Sequence, residues 1–190
     1  MSKKSINPTH YDFIPTFPSG RKRRDRIINA IVETPRGSCQ KFALEPELGI
    51  IAFHSVLPNK LEWPYDYGFV PQTLGEDGDG LDVLIVNENG LFSGCLVQVR
   101  IVGALREKKD EVENDRLIGV PPPSRGAPLP TDAYYDITDL PSRELEHIKS
   151  FLVEYPALAG HNVTIRGVST AAEAMKSIDR GIRRFKKTKK

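Results

Sequence analysis

A short acidic turn places the strongest constraint on the fold of this chain. Three aspartates, Asp77, Asp79 and Asp82, stand at positions i, i+2 and i+5, with a glycine between each pair. Their carboxylates can converge only if the backbone turns sharply, and glycine permits such a turn. The turn lies between an aromatic run at 63–69 and a strand-like apolar run at 83–86. We therefore expect a tight loop that leads directly into a strand.

The charge of this acidic turn indicates a bound metal ion. Three like charges held so close together repel one another unless a cation joins them. Carboxylate ligands suit a hard ion, so the turn predicts a Mg²⁺ site, with Mn²⁺ as the alternative ion. A solvated acidic turn is the plainer interpretation of an Asp-Gly-Asp sequence. A calcium-binding loop is excluded, because Leu81 stands at its fifth position and Asp82 displaces the glycine required at its sixth.

The segment 27–102 predicts β-structure. Its apolar runs are short, are separated by Gly, Pro and Asn, and cover residues 27–33, 40–44, 50–53, 83–86 and 95–102. Short strands at this spacing are typical of an antiparallel barrel or sandwich. The last run, which includes Leu96, is predicted to be a central and mostly buried strand.

Two helices are predicted in the last third of the chain. Asp139 is expected to cap a helix that runs to about Tyr155 and buries one apolar face. After a strand at 162–168, Thr170 and Glu173 form a capping box that opens a final helix. The apolar face of that helix consists of Met175, Ile178, Ile182 and Phe185.

The length and composition fit one globular domain. A chain of 190 residues is long enough to bury a substantial core. Residues 1–26 are basic and contain several prolines, which predicts an N-terminal arm outside the core. The stretch 121–130 is also rich in proline, which excludes a helix or an inner strand there. The predicted fold is a single α+β domain over 1–190, mainly β, with a small closed β-barrel and flanking α-helices.

The charge and the cysteines limit the compartment and the partners. The net charge is +2, so no overall field favours nucleic acid, and the basic runs at 21–26 and 183–190 are typical of solvated termini. Cys39 and Cys95 are too few for a disulfide scaffold, which indicates a reducing compartment. No secretory or membrane-spanning segment is recognised. We therefore expect a cytoplasmic protein with neither membrane nor nucleic-acid partners.

The aromatic run and the acidic turn together resemble the signature of the soluble (family I) inorganic pyrophosphatases. The chain reads Trp63-Pro64-Tyr65-Asp66-Tyr67-Gly68-Phe69-Val70-Pro71-Gln72-Thr73-Leu74 and then Asp77-Gly78-Asp79-Gly80-Leu81-Asp82. The order of landmarks is similar over roughly 31–121. The resemblance implies a five-stranded, OB-like barrel with its site at the barrel mouth. It further implies a Mg²⁺-dependent inorganic diphosphatase that hydrolyses pyrophosphate to two phosphates and forms a homo-oligomer.

The resemblance also implies the roles of individual residues. Asp77 and Asp82 correspond to metal ligands, and Asp79 to the carboxylate that bridges metals and helps deprotonate the attacking water. The other matched catalytic positions are Glu33 near the metals, Lys41 on a phosphate, and Tyr67 on a metal-bound water or ligand. Taken alone, Tyr67 is more typical of a core position.

Several positions depart from the family pattern on the side that binds phosphate. Ala43 stands where the family has a glutamate, and Ser55, preceded by His54, stands where it has an arginine. The family often has Tyr-Lys after the later helix, whereas here Tyr155, a candidate substrate-binding residue, is followed by Pro156. Lys60, Arg21 or Arg125 are candidates to replace the missing cations in space.

The acidic and basic positions near the barrel rim also depart. A metal-binding aspartate of the family falls on Asn114, so either the neighbouring Asp115 takes over as a ligand or the metal has one charge fewer. Arg116 replaces a lysine and keeps its positive charge for substrate binding. Gly80 replaces a proline and loosens the acidic turn.

Three functions are consistent with this pattern. The first is an inorganic diphosphatase. The second is a hydrolase of an organic molecule that contains a pyrophosphate, for which the small residues Ala43, Ser55 and Pro156 provide room. The third is a catalytically weak family member that binds metal and phosphate with little turnover, since each charged contact to a transferring phosphoryl group contributes roughly 2–4 kcal/mol.

Overall fold

The computed structural model of the protein describes residues 11–110, 112–123 and 129–189. Residues 1–10 of the predicted arm, and Arg125 in the proline-rich stretch, lie outside the described residues. The strands are β1 (Ile27–Thr34), β2 (Gln40–Glu45), β3 (Ile50–Val56), β4 (Asp66–Val70), β5 (Leu81–Ile85), β6 (Leu96–Lys109), β7 (Val112–Glu113), β8 (Arg116–Val120) and β9 (Val163–Thr170). The α-helices are α1 (Ser142–Leu158) and α2 (Ala171–Thr188).

Five strands close into a ring, which confirms the predicted small barrel. Their order is β1-β4-β5-β8-β6, and β6 pairs again with β1. The expectation of an antiparallel barrel is wrong at one pair, because β5 and β8 run parallel. The reason is geometric: strand direction cannot alternate all the way around a closed ring with an odd number of strands, so at least one neighbouring pair must be parallel.

Strand β6 organises the sheet. It pairs with β1 through its first residues, with β8 from Arg100 to Leu105, and with β9 from Gly103 to Lys109. The remaining strands β2 and β3 form a separate two-stranded sheet beside the ring. Leu96, at the start of β6, is 51% exposed, so the predicted burial of this strand begins only further along the chain.

The core consists of two apolar clusters of side chains, and each includes buried residues from one of the two α-helices. Ile148, Phe151 and Leu152 of α1 belong to the first cluster, and Met175 and Ile178 of α2 to the second. Alternate side chains of the barrel strands contribute to the two clusters, as the two-residue period of a strand requires. The apolar faces that the sequence predicts for both helices are therefore confirmed.

The helix boundaries agree with the sequence at α2 and differ at α1. Thr170 and Glu173 form the predicted capping box. Asp139 does not cap α1: its carboxylate accepts the backbone N–H groups of Tyr135 and Asp136 in a 3₁₀ turn that precedes the helix. Helix α1 also continues past Pro156 to Leu158, because a proline near the helix end removes few backbone hydrogen bonds.

Strands β4 and β8 were not predicted as strands. All five residues of each are buried. In the sequence, the first is part of an aromatic motif, and no element is predicted for the second. In β4, a side chain at Gly68 would collide with the carbonyl oxygen of Ile31 in β1. Only glycine lets β4 lie against β1 at this point, and the neighbouring Tyr67 is thereby fixed beside the barrel mouth.

The described part of the predicted arm packs against the barrel. Thr16 is buried, its hydroxyl donates to the carbonyl oxygen of Pro71 (2.8 Å), and its carbonyl oxygen accepts the N–H of Asn29 (2.8 Å). Residues 11–18 therefore differ from the expected arm outside the core. No helix among the described residues combines the length and the apolar character needed to cross a membrane.

Candidate active site

A polar cleft of about 190 Å³ brings together most of the residues selected from the sequence. It lies where the ends of several strands meet the acidic turn between β4 and β5. The charged or hydrogen-bonding side chains that line it are Glu33 from β1, Lys41 from β2, Tyr67 from β4, Asp77, Asp79 and Asp82 from the turn and β5, and Lys109, Asn114 and Arg116 from the β6–β8 region. Four carboxylates therefore face three cations in one cleft.

The acidic turn is closed by its own hydrogen bonds. The N–H of Gly75 donates to the carbonyl oxygen of Asp79 (2.7 Å), and the N–H of Asp79 donates to Oδ1 of Asp77 (3.1 Å). Gly78 has φ +96°, a backbone conformation that glycine adopts without strain. Burial, and then the charge of Asp77, raise the pKa of Asp79 above its ordinary value. The turn thus holds the charges of Asp77 and Asp79 close together. The third carboxylate, that of Asp82, pairs with Arg116, so the predicted convergence of all three is not seen.

Arg116 links the acidic turn to a buried carboxylate that sequence reasoning missed. Its guanidinium forms an ion pair with Asp82 and a second one with Glu107, at 3.2 Å. Glu107 is only 1% exposed. Burial raises the pKa of Glu107, and the adjacent guanidinium favours its charged form. Glu107 therefore holds Arg116 in place beside the cleft.

Glu33 and Lys41 lie near each other in an environment that disfavours charge. Oε1 of Glu33 accepts the backbone N–H of Leu44 (2.7 Å), and Glu33 is 8% exposed. Burial raises the pKa of Glu33 to about 7, with Leu44 and Lys41 acting in the opposite direction. Burial, and then the charge of Lys109, lower the pKa of Lys41. Burial thus shifts both groups towards their neutral forms.

Tyr67 contributes both to the cleft wall and to the core. It is 8% exposed, and the guanidinium carbon of Arg116 lies 5.8 Å from its ring centroid. Burial raises the pKa of its phenol, so the hydroxyl stays protonated and can donate a hydrogen bond into the cleft.

Lys109 is the cation that the sequence analysis did not select. It ends β6 and lines the cleft, but in the sequence it is one of several charged residues between 106 and 116. Lys60 and Arg21, which were candidates to replace the missing cations, do not line the cleft. No sequence signal separates Lys109 from its neighbours, because its role depends on the strand register.

Asn114 lies at the acidic turn, whereas Asp115 does not. Nδ2 of Asn114 donates to Oδ2 of Asp77 (2.9 Å), and its Oδ1 accepts from Arg116 (3.4 Å). The carboxylate of Asp115 instead accepts from the hydroxyl of Ser177 on α2 (3.3 Å) and lines a different pocket. The structure therefore does not bring the proposed metal ligand Asp115 to the other three aspartates.

Tyr155 lies in a second cavity beside the cleft rather than among the carboxylates. This cavity shares Lys41, Tyr67, Lys109 and Arg116 with the cleft. Ser55 and Pro156, two of the positions that depart from the family pattern, line it as well. Burial raises the pKa of Tyr155, and a hydrogen bond with Ser55 opposes that rise.

The donor atoms of the cleft suit a hard divalent cation. Its ligand candidates Asp77, Asp79 and Asp82 offer only carboxylate oxygens, the donors that Mg²⁺ prefers. Within the described residues, no three acidic, histidine or cysteine side chains already form a metal-binding group. Asp82 is engaged by Arg116, so this ion pair has to open before Asp82 can ligate an ion. The residues therefore fit such a cation after a local rearrangement of Arg116.

Comparisons with known proteins agree with this geometry. A family model described as "Inorganic pyrophosphatase" matches residues 30–186. The chain is 36% identical over 168 residues to an inorganic pyrophosphatase of Sulfolobus acidocaldarius, covering 86% of this chain and 94% of that protein. It is 34% identical over 176 residues to an inorganic pyrophosphatase of Thermus thermophilus, covering 91% and 98%.

Solved structures show the same likeness. The crystal structure of the Thermus thermophilus inorganic pyrophosphatase superposes with a TM-score of 0.83 at 31% identity and covers 94% of this chain and 99% of that chain. An inorganic pyrophosphatase from Neisseria gonorrhoeae gives a TM-score of 0.83 at 30% identity, with coverage of 93% and 98%.

Proposed function

The chain belongs to the inorganic pyrophosphatase family, and from this premise we propose that its cleft hydrolyses pyrophosphate to two phosphates. The observation that carries the proposal is the meeting of three aspartates with Lys41, Lys109 and Arg116 in one cleft. Pyrophosphate is a small polyanion, so its hydrolysis requires cations for its oxygens and an activated water. The cleft offers the side chains for both requirements.

We assign the proton transfer to Asp79. Its carboxylate, less acidic than usual because of burial, accepts a proton from the attacking water. The water oxygen bonds to one phosphorus, and the bond from that phosphorus to the bridging oxygen breaks. The second phosphate leaves with the bonding electron pair. Burial raises the pKa of Glu33, and Asp79 lies close enough for its charge to add to that rise; we assign to Glu33 the holding of a nearby water.

We assign the binding of phosphate oxygens to Lys41, Lys109 and Arg116. Each such charged contact contributes roughly 2–4 kcal/mol to transition-state stabilisation, equivalent to about 10²–10³ in rate. Tyr67, whose hydroxyl remains protonated, orients a ligand or a water by donating a hydrogen bond. Tyr155 reaches the substrate only from the adjoining cavity.

The family is metal-dependent, and we propose Mg²⁺ as the ion, with Mn²⁺ as a substitute. We assign Asp77, Asp79 and Asp82 to hold it; Asp115, whose carboxylate accepts from the hydroxyl of Ser177 on α2, is not included in this set. When bound, the ion supplies positive charge that activates water and neutralises phosphate oxygens. Asp77 and Asp79 lie close enough for their charges to repel, and such an ion would relieve that repulsion.

The cellular setting is a further part of the proposal. Cys39 and Cys95 are both free, which supports a reducing, cytoplasmic compartment. Phe53 and Val56 of β3 are largely exposed, and apolar side chains of this kind support a homo-oligomer.

Phosphate release from Mg²⁺-pyrophosphate by the purified protein tests the proposal. We expect steady turnover in the wild type and a loss of at least about 10²-fold in Asp79→Asn, which cannot accept the proton. Asp179 lies on α2, does not line the cleft and pairs with Arg23, so Asp179→Asn is the matched control and should retain activity. Absence of turnover in the wild type at saturating Mg²⁺ and Mn²⁺ would reject the proposal.

A second pair of variants tests the role of the missed cation. Lys109→Met should lower kcat/KM for pyrophosphate by about 10²-fold. Lys108→Met changes the preceding residue of β6, which does not line the cleft, and should have little effect. Equal losses in both variants would show that Lys109 contributes only to the overall positive charge at the end of β6, without a specific contact to phosphate.

A further inference from the structure

The cavity that adjoins the cleft is larger than the cleft itself. It measures about 370 Å³, against about 190 Å³ for the cleft. The two spaces share Lys41, Tyr67, Lys109 and Arg116 along their common boundary. A phosphate held at this boundary therefore has space on both sides. Ser55 and Pro156, which stand where the family pattern has cations, line this larger cavity, so it lacks charges that a second phosphate would use.

The far wall of this cavity is aromatic. Trp63 is 3% exposed, and its ring centroid lies 4.6 Å from that of Tyr67, 5.0 Å from that of Phe151 and 5.6 Å from that of Tyr155. The indole Nε1 is buried and has no hydrogen-bond acceptor among the described residues. A buried donor without a partner costs roughly 1–3 kcal/mol, and Trp63 lines the cavity beside Tyr67 and Tyr155.

The rest of the wall mixes polar and apolar groups without adding positive charge deep in the cavity. His54, Ser55 and His161 provide hydrogen-bonding groups, while Leu152 and Pro156 provide apolar surface. Among the described lining residues, the lysine and arginine side chains are confined to the boundary with the cleft. A longer inorganic polyphosphate would need cations throughout. This wall instead suits an organic group.

We propose that the cavity binds the organic group of a diphosphate monoester, so that the protein hydrolyses organic diphosphates of nucleoside size in addition to pyrophosphate. The inference rests on the proposed function, because the terminal phosphate takes the place of one phosphate of pyrophosphate. The inner phosphate lies at the boundary, near Lys41, Lys109 and Arg116. The organic group extends towards Trp63 and Tyr155.

The reaction is the same displacement with a different leaving group. The oxygen of water bonds to the terminal phosphorus, and the bond from that phosphorus to the bridging oxygen breaks. The electron pair goes to the organic monophosphate, and the proton of the water passes to the carboxylate base. The products are one organic monophosphate and one inorganic phosphate, so no oxidant or other co-reactant is needed.

The first test compares substrates in a pair of matched variants. The ratio of kcat/KM for ADP to that for pyrophosphate is measured in the wild type, in Ala159→Phe and in Ala157→Phe. Ala159 lines the cavity at the exposed end of α1, whereas Ala157 is exposed on the same helix and does not line it. We expect the ratio to fall at least tenfold in Ala159→Phe and to stay unchanged in Ala157→Phe.

The second test measures binding independently of turnover. Trp63 is the only tryptophan in the chain, so intrinsic fluorescence reports on the cavity wall. We expect AMP to change the fluorescence of the wild type and of Ala157→Phe, and to leave that of Ala159→Phe unchanged. Inorganic phosphate at equal concentration should produce a smaller change than AMP, since it lacks the organic group.

The outcomes separate this inference from the proposed function. Turnover of pyrophosphate with no turnover of ADP and no AMP response would overturn the inference and leave the proposed function standing. Tripolyphosphate turned over faster than ADP, with equal ratios in both alanine variants, would assign the cavity to inorganic chains and also overturn it. Absence of turnover with every substrate would reject both the inference and the proposed function.

Discussion

The raised pKa of Glu33 predicts a measurable pH dependence of the free energy of unfolding. Glu33 lies on β1 and is only 8% exposed. Its carboxylate accepts a hydrogen bond from the backbone N–H of Leu44. Burial raises its pKa from 4.5 to about 7. In the metal-free protein, the unfolded state therefore loses this proton at lower pH than the folded state does. Because the raised pKa belongs to the folded state, Glu33 favours folding at low pH, and that contribution is lost as pH rises towards 7.

The size of the effect follows from the two pKa values. A shift of one unit corresponds to about 1.4 kcal/mol. Integrating the proton uptake of both states gives a loss of roughly 2.5 kcal/mol of unfolding free energy between pH 5 and pH 8. Glu33→Gln keeps an acceptor for the Leu44 N–H but does not titrate. The variant should therefore lack this part of the pH dependence.

Urea unfolding at pH 5 and pH 8 without divalent ions measures the difference. Titrating groups distant from Glu33 contribute equally to the wild type and to Glu33→Gln, so they cancel in the comparison. Lys41 is coupled to Glu33, so its contribution is measured together with that of Glu33. Glu62→Gln, at an exposed position, serves as control and should follow the wild type. Parallel profiles for the wild type and Glu33→Gln would refute the reasoning, since they would mean that Glu33 is already ionised at pH 5. Added Mg²⁺ should reduce the difference, because a nearby cation stabilises the carboxylate.

Three further changes test the metal site, the last helix and the phosphate side. Asp82→Asn removes a charge from the acidic turn, so Mg²⁺ affinity measured by calorimetry should fall at least about tenfold, and an unchanged affinity would take Asp82 out of the metal site. Ending the chain at Ser169 removes α2 and exposes its apolar partners, so soluble expression should be lost; a soluble product with a native circular dichroism spectrum would contradict this. Ser55→Arg adds a guanidinium where three cations already line the cavity, so kcat/KM for pyrophosphate should rise by no more than about tenfold, and a rise near a hundredfold would show that the phosphate side lacks a cation.

The sequence predicted the parts of the fold that leave a periodic signal. Alternating and continuous apolar runs identified β1, β2, β3 and β6, and the helical period identified the buried faces of α1 and α2. Strands β4 and β8 were missed because their five residues are buried on both faces and they contain a glycine or a charged residue. Such strands show no alternation, so periodicity alone does not detect them.

The candidate site was predictable where residues are close in sequence. Asp77, Asp79 and Asp82 lie on one turn, and their spacing alone indicates a cluster of charge. Lys109 and Glu107 reach the site only through the register of β6 against its neighbours, which depends on the whole sheet. Asp115 shows that neighbours in sequence can also be separated in space, because adjacent residues of an extended chain point to opposite sides. Its side chain accordingly meets α2 while that of Asn114 meets the acidic turn.

The departures from the family pattern change the charge of the cleft in a consistent direction. Its described lining contains four carboxylates and three cationic side chains, a formal charge of −1 when all are ionised. The family pattern has carboxylates at the positions of Ala43 and Asn114, which would make that charge −3. Since affinity for a divalent ion depends on the number of charged ligands, we expect this cleft to bind such an ion less strongly than a cleft with the family pattern would. Lys109 and Arg116 place fixed positive charge beside the same space, so a larger share of the phosphate binding falls on side chains, which remain in the cleft when the metal concentration is low.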